Sequence, residues 1–240
     1  MKKHYLFYLL PVLFLLNGCD GVSDSADIRT SGLYADINVS SQTADSSLVS
    51  VRLRVGDRHS NDYLNLTNGD RLQAILNDSF VKDINVKAGS SYQGRFNVTG
   101  AGNENTSYRV SFIRPNDTDA TNSTVIMPLG LTSFSSTPVA AFSRSMDVLT
   151  LSWDATAENR IVPVTIKGDC FQNKTVNVNS SVGVFAINPM TLVSNSTPEQ
   201  NCPATITANV TNTGNVDIAY GEGGVMTATR TTSFSIMSTP

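Results

Sequence analysis

Leu33-Tyr-Ala-Asp-Ile-Asn-Val-Ser40 decides the fold. Leu33, Ala35, Ile37 and Val39 fall on one side of an extended chain. Tyr34, Asp36, Asn38 and Ser40 fall on the other. Side chains alternate across a strand, so this period of two marks a sheet with one face buried and one in water. The next stretch repeats it: Val49, Val51, Leu53 and Val55 alternate with Ser50, Arg52 and Arg54. A clean alternation of this kind is the mark of an antiparallel sheet.

The pattern continues along residues 28–128. Thr67-Asn68-Gly69-Asp70 is a turn, and Leu72, Ala74 and Leu76 follow it at spacing two. Asn77-Asp78 forms a tight hairpin turn into a strand over Phe80 to Lys87. Tyr92, Gly94, Phe96 and Val98 make the next strand, and Gly100-Ala101-Gly102-Asn103 turns into Tyr108, Val110 and Phe112. Ser123 to Met127 closes the set before Pro128. About seven strands with turns every 8–12 residues is the spacing of a β-sandwich.

Residues 129–240 carry a second set. Phe142 precedes a strand over Val148 to Trp153, and Ile161 to Lys167 is the next. Thr175 to Asn179 and Gly183 to Ile187 are short strands. Ala204, Ile206, Ala208 and Val210 alternate after Cys202, and Val225 to Met237 supplies one or two more. Val148-Leu-Thr-Leu-Ser-Trp153 resembles the second strand of fibronectin type III and related immunoglobulin-like modules, where a Trp ends the strand and fills the core. The expected fold class is all-β: two tandem immunoglobulin-like antiparallel β-sandwiches. The halves share an architecture but do not align as a repeat.

Composition agrees. Charged residues make up 15% of the chain, with Ser, Thr and Asn abundant. Val, Ile and Thr suit pleated, half-buried surfaces, and Asn and Gly suit turns.

The N-terminus gives an address. Lys2 and Lys3 precede an apolar run from Tyr5 to Leu16. A membrane-spanning helix needs roughly 20 apolar residues, so this run fits the apolar part of a secretory signal. It ends in Leu16-Asn17-Gly18-Cys19, which resembles the lipobox of bacterial lipoproteins. The resemblance implies that residues 1–18 are a cleaved signal peptide and that Cys19 is acylated. Residues 19–27 would then be the acylated Cys and a flexible tether. Several acyl chains hold far better than one, since each buried CH₂ contributes about 0.8 kcal/mol. Asp20 resembles the inner-membrane retention signal of enteric lipoproteins. Either membrane facing the periplasm stays open.

Removing residues 1–18 removes Lys2 and Lys3 and no acid, which takes the net charge from −3 to about −5. An acidic chain with no basic block is a poor ligand for nucleic acid or anionic head groups, so the attachment to the membrane falls to the lipid. Of the three cysteines, Cys170 and Cys202 remain once Cys19 carries lipid. A disulfide between them suits an oxidising compartment, and two separate buried thiols are the alternative. Trp153 precedes both cysteines, so the pair does not match the core disulfide of antibody domains and would tie strand or loop ends.

Candidate chemistry is sparse. His59, in the polar loop Asp57-Arg58-His59-Ser60-Asn61-Asp62, is the sole histidine after the signal, and no nucleophile-elbow motif accompanies it. A zinc site needs three or four ligands, and no cofactor motif is present. Asn116-Asp117-Thr118-Asp119 offers oxygen ligands, which makes Asp117 and Asp119 candidates for calcium without the full loop pattern of a dedicated site. Glu222 stands alone among glycines, and no pair of carboxylates is nominated for glycoside hydrolysis. Tyr92, Phe96, Tyr108 and Phe112 stand at strand spacing, either as core or as a carbohydrate-binding strip. The expected role is a non-catalytic interaction or structural module of the cell envelope. The alternative is a calcium- or carbohydrate-binding module. The partner would be an envelope protein or a glycan.

Overall fold

A computed structural model describes residues 21–195 and 200–240. Eighteen strands and two single-turn 3₁₀ helices make up its regular structure. The first half holds β1 (Val22–Asp24), β2 (Leu33–Thr43), β3 (Ser46–Val55), β4 (Tyr63–Asn65), β5 (Arg71–Leu76), β6 (Phe80–Asp83), β7 (Val86–Ala88), β8 (Ser91–Asn97), β9 (Ser107–Ile113) and β10 (Ala120–Ile126). The second holds β11 (Ser135–Thr137), β12 (Ala141–Ser143), β13 (Leu149–Ser152), β14 (Ile161–Lys167), β15 (Lys174–Asn179), β16 (Val184–Ile187), β17 (Cys202–Thr213) and β18 (Gly224–Thr239).

The chain is all-β, and each half is an immunoglobulin-like sandwich. In the first, β2, β3 and β8 form one sheet, and β6, β5, β9 and β10 lie side by side in the other. In the second, β11, β13 and β16 form one sheet, and β15, β14, β17 and β18 the other. Each sandwich therefore sets its first, second and fifth main strands against its fourth, third, sixth and seventh. The two halves share this strand order although their sequences do not align.

The period-two faces fill the cores as expected. Leu33, Ala35, Ile37 and Val39 are wholly buried, and Val49, Val51, Leu72 and Ala74 pack with them. Between β5 and β6, Asn77 and Asp78 both take positive φ, 48° and 53°. The Ser79 amide donates to the Leu76 carbonyl at 3.1 Å across these two residues, and Leu76 pairs with Phe80, so Asn77, Asp78 and Ser79 make the hairpin loop. Trp153 is buried in the second core, where its indole Nε1 donates to the Ser180 carbonyl at 3.0 Å.

Four expectations need correction. The strand over Phe80 to Lys87 is two strands, because Ile84 turns inward and the chain crosses from β5 in one sheet to β8 in the other. The tether is not loose from Val22 onward. β1 pairs in parallel with β4, and Ser25 is buried with its hydroxyl against Thr67. Three pairings are parallel rather than antiparallel: β1 with β4, β12 with β18, and β18 with β2.

The last pairing also alters the partition at 128/129. β18 is one continuous 16-residue strand. Its first half, Gly224 to Arg230, lies alongside β2 from Ala35 to Ser41, while its second half closes the second sandwich. Tyr220, Met226 and Ala228 consequently belong to the first core, although β11 to β17 of the second half precede them in sequence. One sheet of each sandwich is thereby joined into a continuous 11-stranded sheet.

Candidate functional site

Three arginines with buried or partly buried side chains organise the polar interior. Arg114 stands one residue past the end of β9 and continues the buried register of Tyr108, Val110 and Phe112. It forms an ion pair with Asp70 at 2.9 Å, and both side chains are under 5% exposed. Nη1 donates to Asp117 at 2.7 Å, to the Ile28 carbonyl at 2.8 Å and to the Thr30 hydroxyl at 3.1 Å. Nη2 donates to the Ser25 carbonyl, and the cation lies 5.1 Å from the Phe112 ring centroid. One side chain thus ties residues 25–30 to the first sandwich.

This arrangement engages the calcium candidates. Asp117 accepts from Arg114, from the Thr30 amide at 2.8 Å and from the Thr30 hydroxyl, and Asp119 accepts from the Arg114 amide at 2.6 Å. Desolvation alone would raise the Asp117 carboxyl. Hydrogen bonds from the Thr118 and Thr30 backbone and the Arg114 charge outweigh it and hold the carboxyl below its ordinary value. Among the described residues no group of three or more His, Cys, Asp or Glu side chains gathers as metal ligands would.

Arg144 plays a related part in the second sandwich. Its Nη1 donates to the Ser238 hydroxyl at 2.9 Å and lies 3.2 Å from Cys170 Sγ, and Nη2 donates to the Gln200 carbonyl at 3.0 Å. Cys170 and Cys202 form the disulfide, with Cα atoms 5.7 Å apart. It ties the loop after β14 to the start of β17.

Arg230 is the third. It lies on the inward side of β18 between Ala228 and Thr232, where the strand passes from one sandwich to the other. Nη1 donates to the Thr43 and Gly102 carbonyls, both at 2.6 Å, and to the Ser41 hydroxyl at 2.9 Å. These bonds fasten the β2–β3 turn and the loop at Gly102 to the shared strand. No carboxylate of the described residues pairs with Arg230, and partial burial lowers its pKa.

The remaining candidates are dispersed. His59 is exposed, and its Nε2 accepts from Arg58 Nε at 2.9 Å. Glu222 is exposed in the turn before β18. Tyr92, Phe96, Tyr108 and Phe112 are all core, with Phe96 and Tyr108 edge to face at 6.1 Å, so they form no surface strip. Cys19 lies outside the described residues. Sequence reasoning passed over all three arginines. The signal for Arg114 and Arg230 was an arginine continuing the buried register of a strand.

No protein-family model and no curated protein matches the chain. Solved structures similar to it include a two-domain fibronectin type III segment of chicken tenascin, 12% identical over 85% of this chain and 98% of that one, with a TM-score of 0.27. The FN1–FN3 domains of chicken CNTN1 are 9% identical, over 85% of this chain and 64% of theirs, with a TM-score of 0.29. The SGBP-B protein of the Bacteroides ovatus mixed-linkage glucan utilization locus, solved with a mixed-linkage heptasaccharide, is 11% identical over 91% of this chain and 66% of its own, with a TM-score of 0.23. At these scores the fold class rests on the strand order described above.

Proposed function

We propose that this chain is a lipid-anchored envelope protein acting as a non-catalytic interaction module. The observation that carries the reading is the use made of its buried and half-buried ionic groups. Arg114 binds Asp70, Asp117 and neighbouring backbone carbonyls, and Arg230 holds two turns to the shared strand. These groups fix segments in place. General acid–base chemistry needs a titratable group within hydrogen-bond reach of a bound substrate.

The signal-like segment, the Leu16-Asn17-Gly18-Cys19 motif and the Cys170–Cys202 disulfide all favour a membrane facing the periplasm. Because β1 begins at Val22, only Asp20 and Gly21 separate an acylated Cys19 from the first sandwich. Three residue steps span about 10 Å at most. The lipid would then hold the body close against the membrane. Labelled palmitate supplied to cells making the protein tests the anchor. Incorporation that disappears in Cys19→Ala supports it, and label that persists in Cys19→Ala contradicts it.

Glycan capture is the second reading, favoured by a polar cleft where the two sandwiches meet. Asp117 and Asp119 are already satisfied by protein donors, which removes the observation that favoured calcium.

A further inference from the structure

The cleft between the sandwiches has a volume of about 630 Å³. Its walls are the loop 102–105 of the first sandwich, the connecting segment 128–133, and Arg230 and Thr232 of β18. Ligand sites occur preferentially at such domain junctions, where a few polar groups converge in a concave surface. That volume lies within the roughly 300–1,000 Å³ range of small-molecule binding pockets.

We propose that this cleft binds an acidic saccharide, with its carboxylate on the Arg230 guanidinium. Nη1 is fully used on Thr43, Gly102 and Ser41, which fixes the plane of the guanidinium. Nε and Nη2 donate to no described residue, and no carboxylate of the described residues pairs with the guanidinium. A planar guanidinium with two open donors is suited to a carboxylate. Two glycines make room for it. A Cβ on Gly130 would lie 2.7 Å from Arg230 Cγ, and one on Gly102 would lie 2.6 Å from Nη1.

The rest of the lining favours a sugar over a purely apolar acid. Asn103, Asn105, Thr132 and Thr232 present amides and hydroxyls around Arg230, with Leu129 and Pro128 as the apolar part of the wall. Hydroxyls and amides can exchange hydrogen bonds with a polyol in either sense. Glu104 is the opposing element. It is exposed at the rim and carries the wrong sign for an anion. The inference deepens the glycan reading of the proposed function and is independent of the lipid anchor, which the palmitate experiment tests separately.

Calorimetric titration of the full mature chain in detergent, with trigalacturonate and with neutral maltotriose as probes, tests it. Trigalacturonate is expected to bind and maltotriose to bind at least tenfold more weakly. Arg230→Gln should weaken trigalacturonate at least tenfold. Glu104→Gln, a change at an exposed residue, should tighten it about twofold or more by removing a like charge. Absence of trigalacturonate binding to the unaltered chain overturns the proposal. So does equal affinity for the neutral sugar, or a Glu104→Gln variant that binds no more tightly.

Discussion

Arg114 is the residue on which the first sandwich turns. Its partner Asp70 is as deeply buried as it is, so removing the cation leaves a carboxylate uncompensated in the interior. Arg114→Leu is expected to destabilise the protein by about 3–5 kcal/mol, read as a lower denaturant midpoint. Asp117 links the same cluster to pH. Its pKa is lowered in the folded state, so the stability it contributes is present above the unfolded carboxyl value of about 4 and is lost as pH falls through the lower folded value. Acid unfolding curves of Asp117→Asn should therefore fall less steeply below pH ~4 than those of the unaltered chain. Tyr220 gives a prediction of opposite sign. Its hydroxyl is buried and has no hydrogen-bond partner among the described residues, and burial together with the Asp217 carboxylate pushes its pKa well up. Tyr220→Phe removes an unsatisfied polar group and is expected to leave stability unchanged or raise it by about 1 kcal/mol.

At the scale of the element, β18 unites the molecule. Met226 is wholly buried in the first core, although almost the whole second sandwich precedes it in sequence. Met226→Ala is expected to cost about 2–5 kcal/mol, measured by denaturant unfolding, and to loosen β2 before it loosens β14. The strands written as period-two runs were legible in the sequence. In β2, β3, β5 and β9 every second residue along the run (33–39, 49–53, 72–76 and 108–112) is apolar and buried. Short edge strands such as β11 and β12 were not, since three residues cannot display a period. The parallel pairing of β18 with β2 was invisible for another reason. It depends on a contact between residues nearly two hundred positions apart, and no local pattern encodes the partner of a strand. The cleft beside Arg230 was illegible for the same reason, because its walls come from both sandwiches and the segment between them.

For the whole molecule, sharing a strand means that the sandwiches are not beads on a string. A fragment ending near residue 128 would lack Tyr220, Met226 and Ala228 from its core, together with the strand that covers the outer edge of β2. The central claim is that β18 pairs with β2 while it also closes the second sandwich, and amide hydrogen exchange tests it residue by residue. The Met226 carbonyl accepts from Gly214 in the β17–β18 hairpin, and the Gly223 carbonyl accepts from Ala35 of β2. Backbone groups alternate sides along a strand, so the amides of Thr227 and Thr229 face β2, whereas those of Ser233 and Ser235 face an edge that β12 does not reach. Slow exchange at Thr227 and Thr229 with faster exchange at Ser233 and Ser235 is the expected result. Exchange at Thr227 and Thr229 as fast as at that open edge would contradict the shared strand.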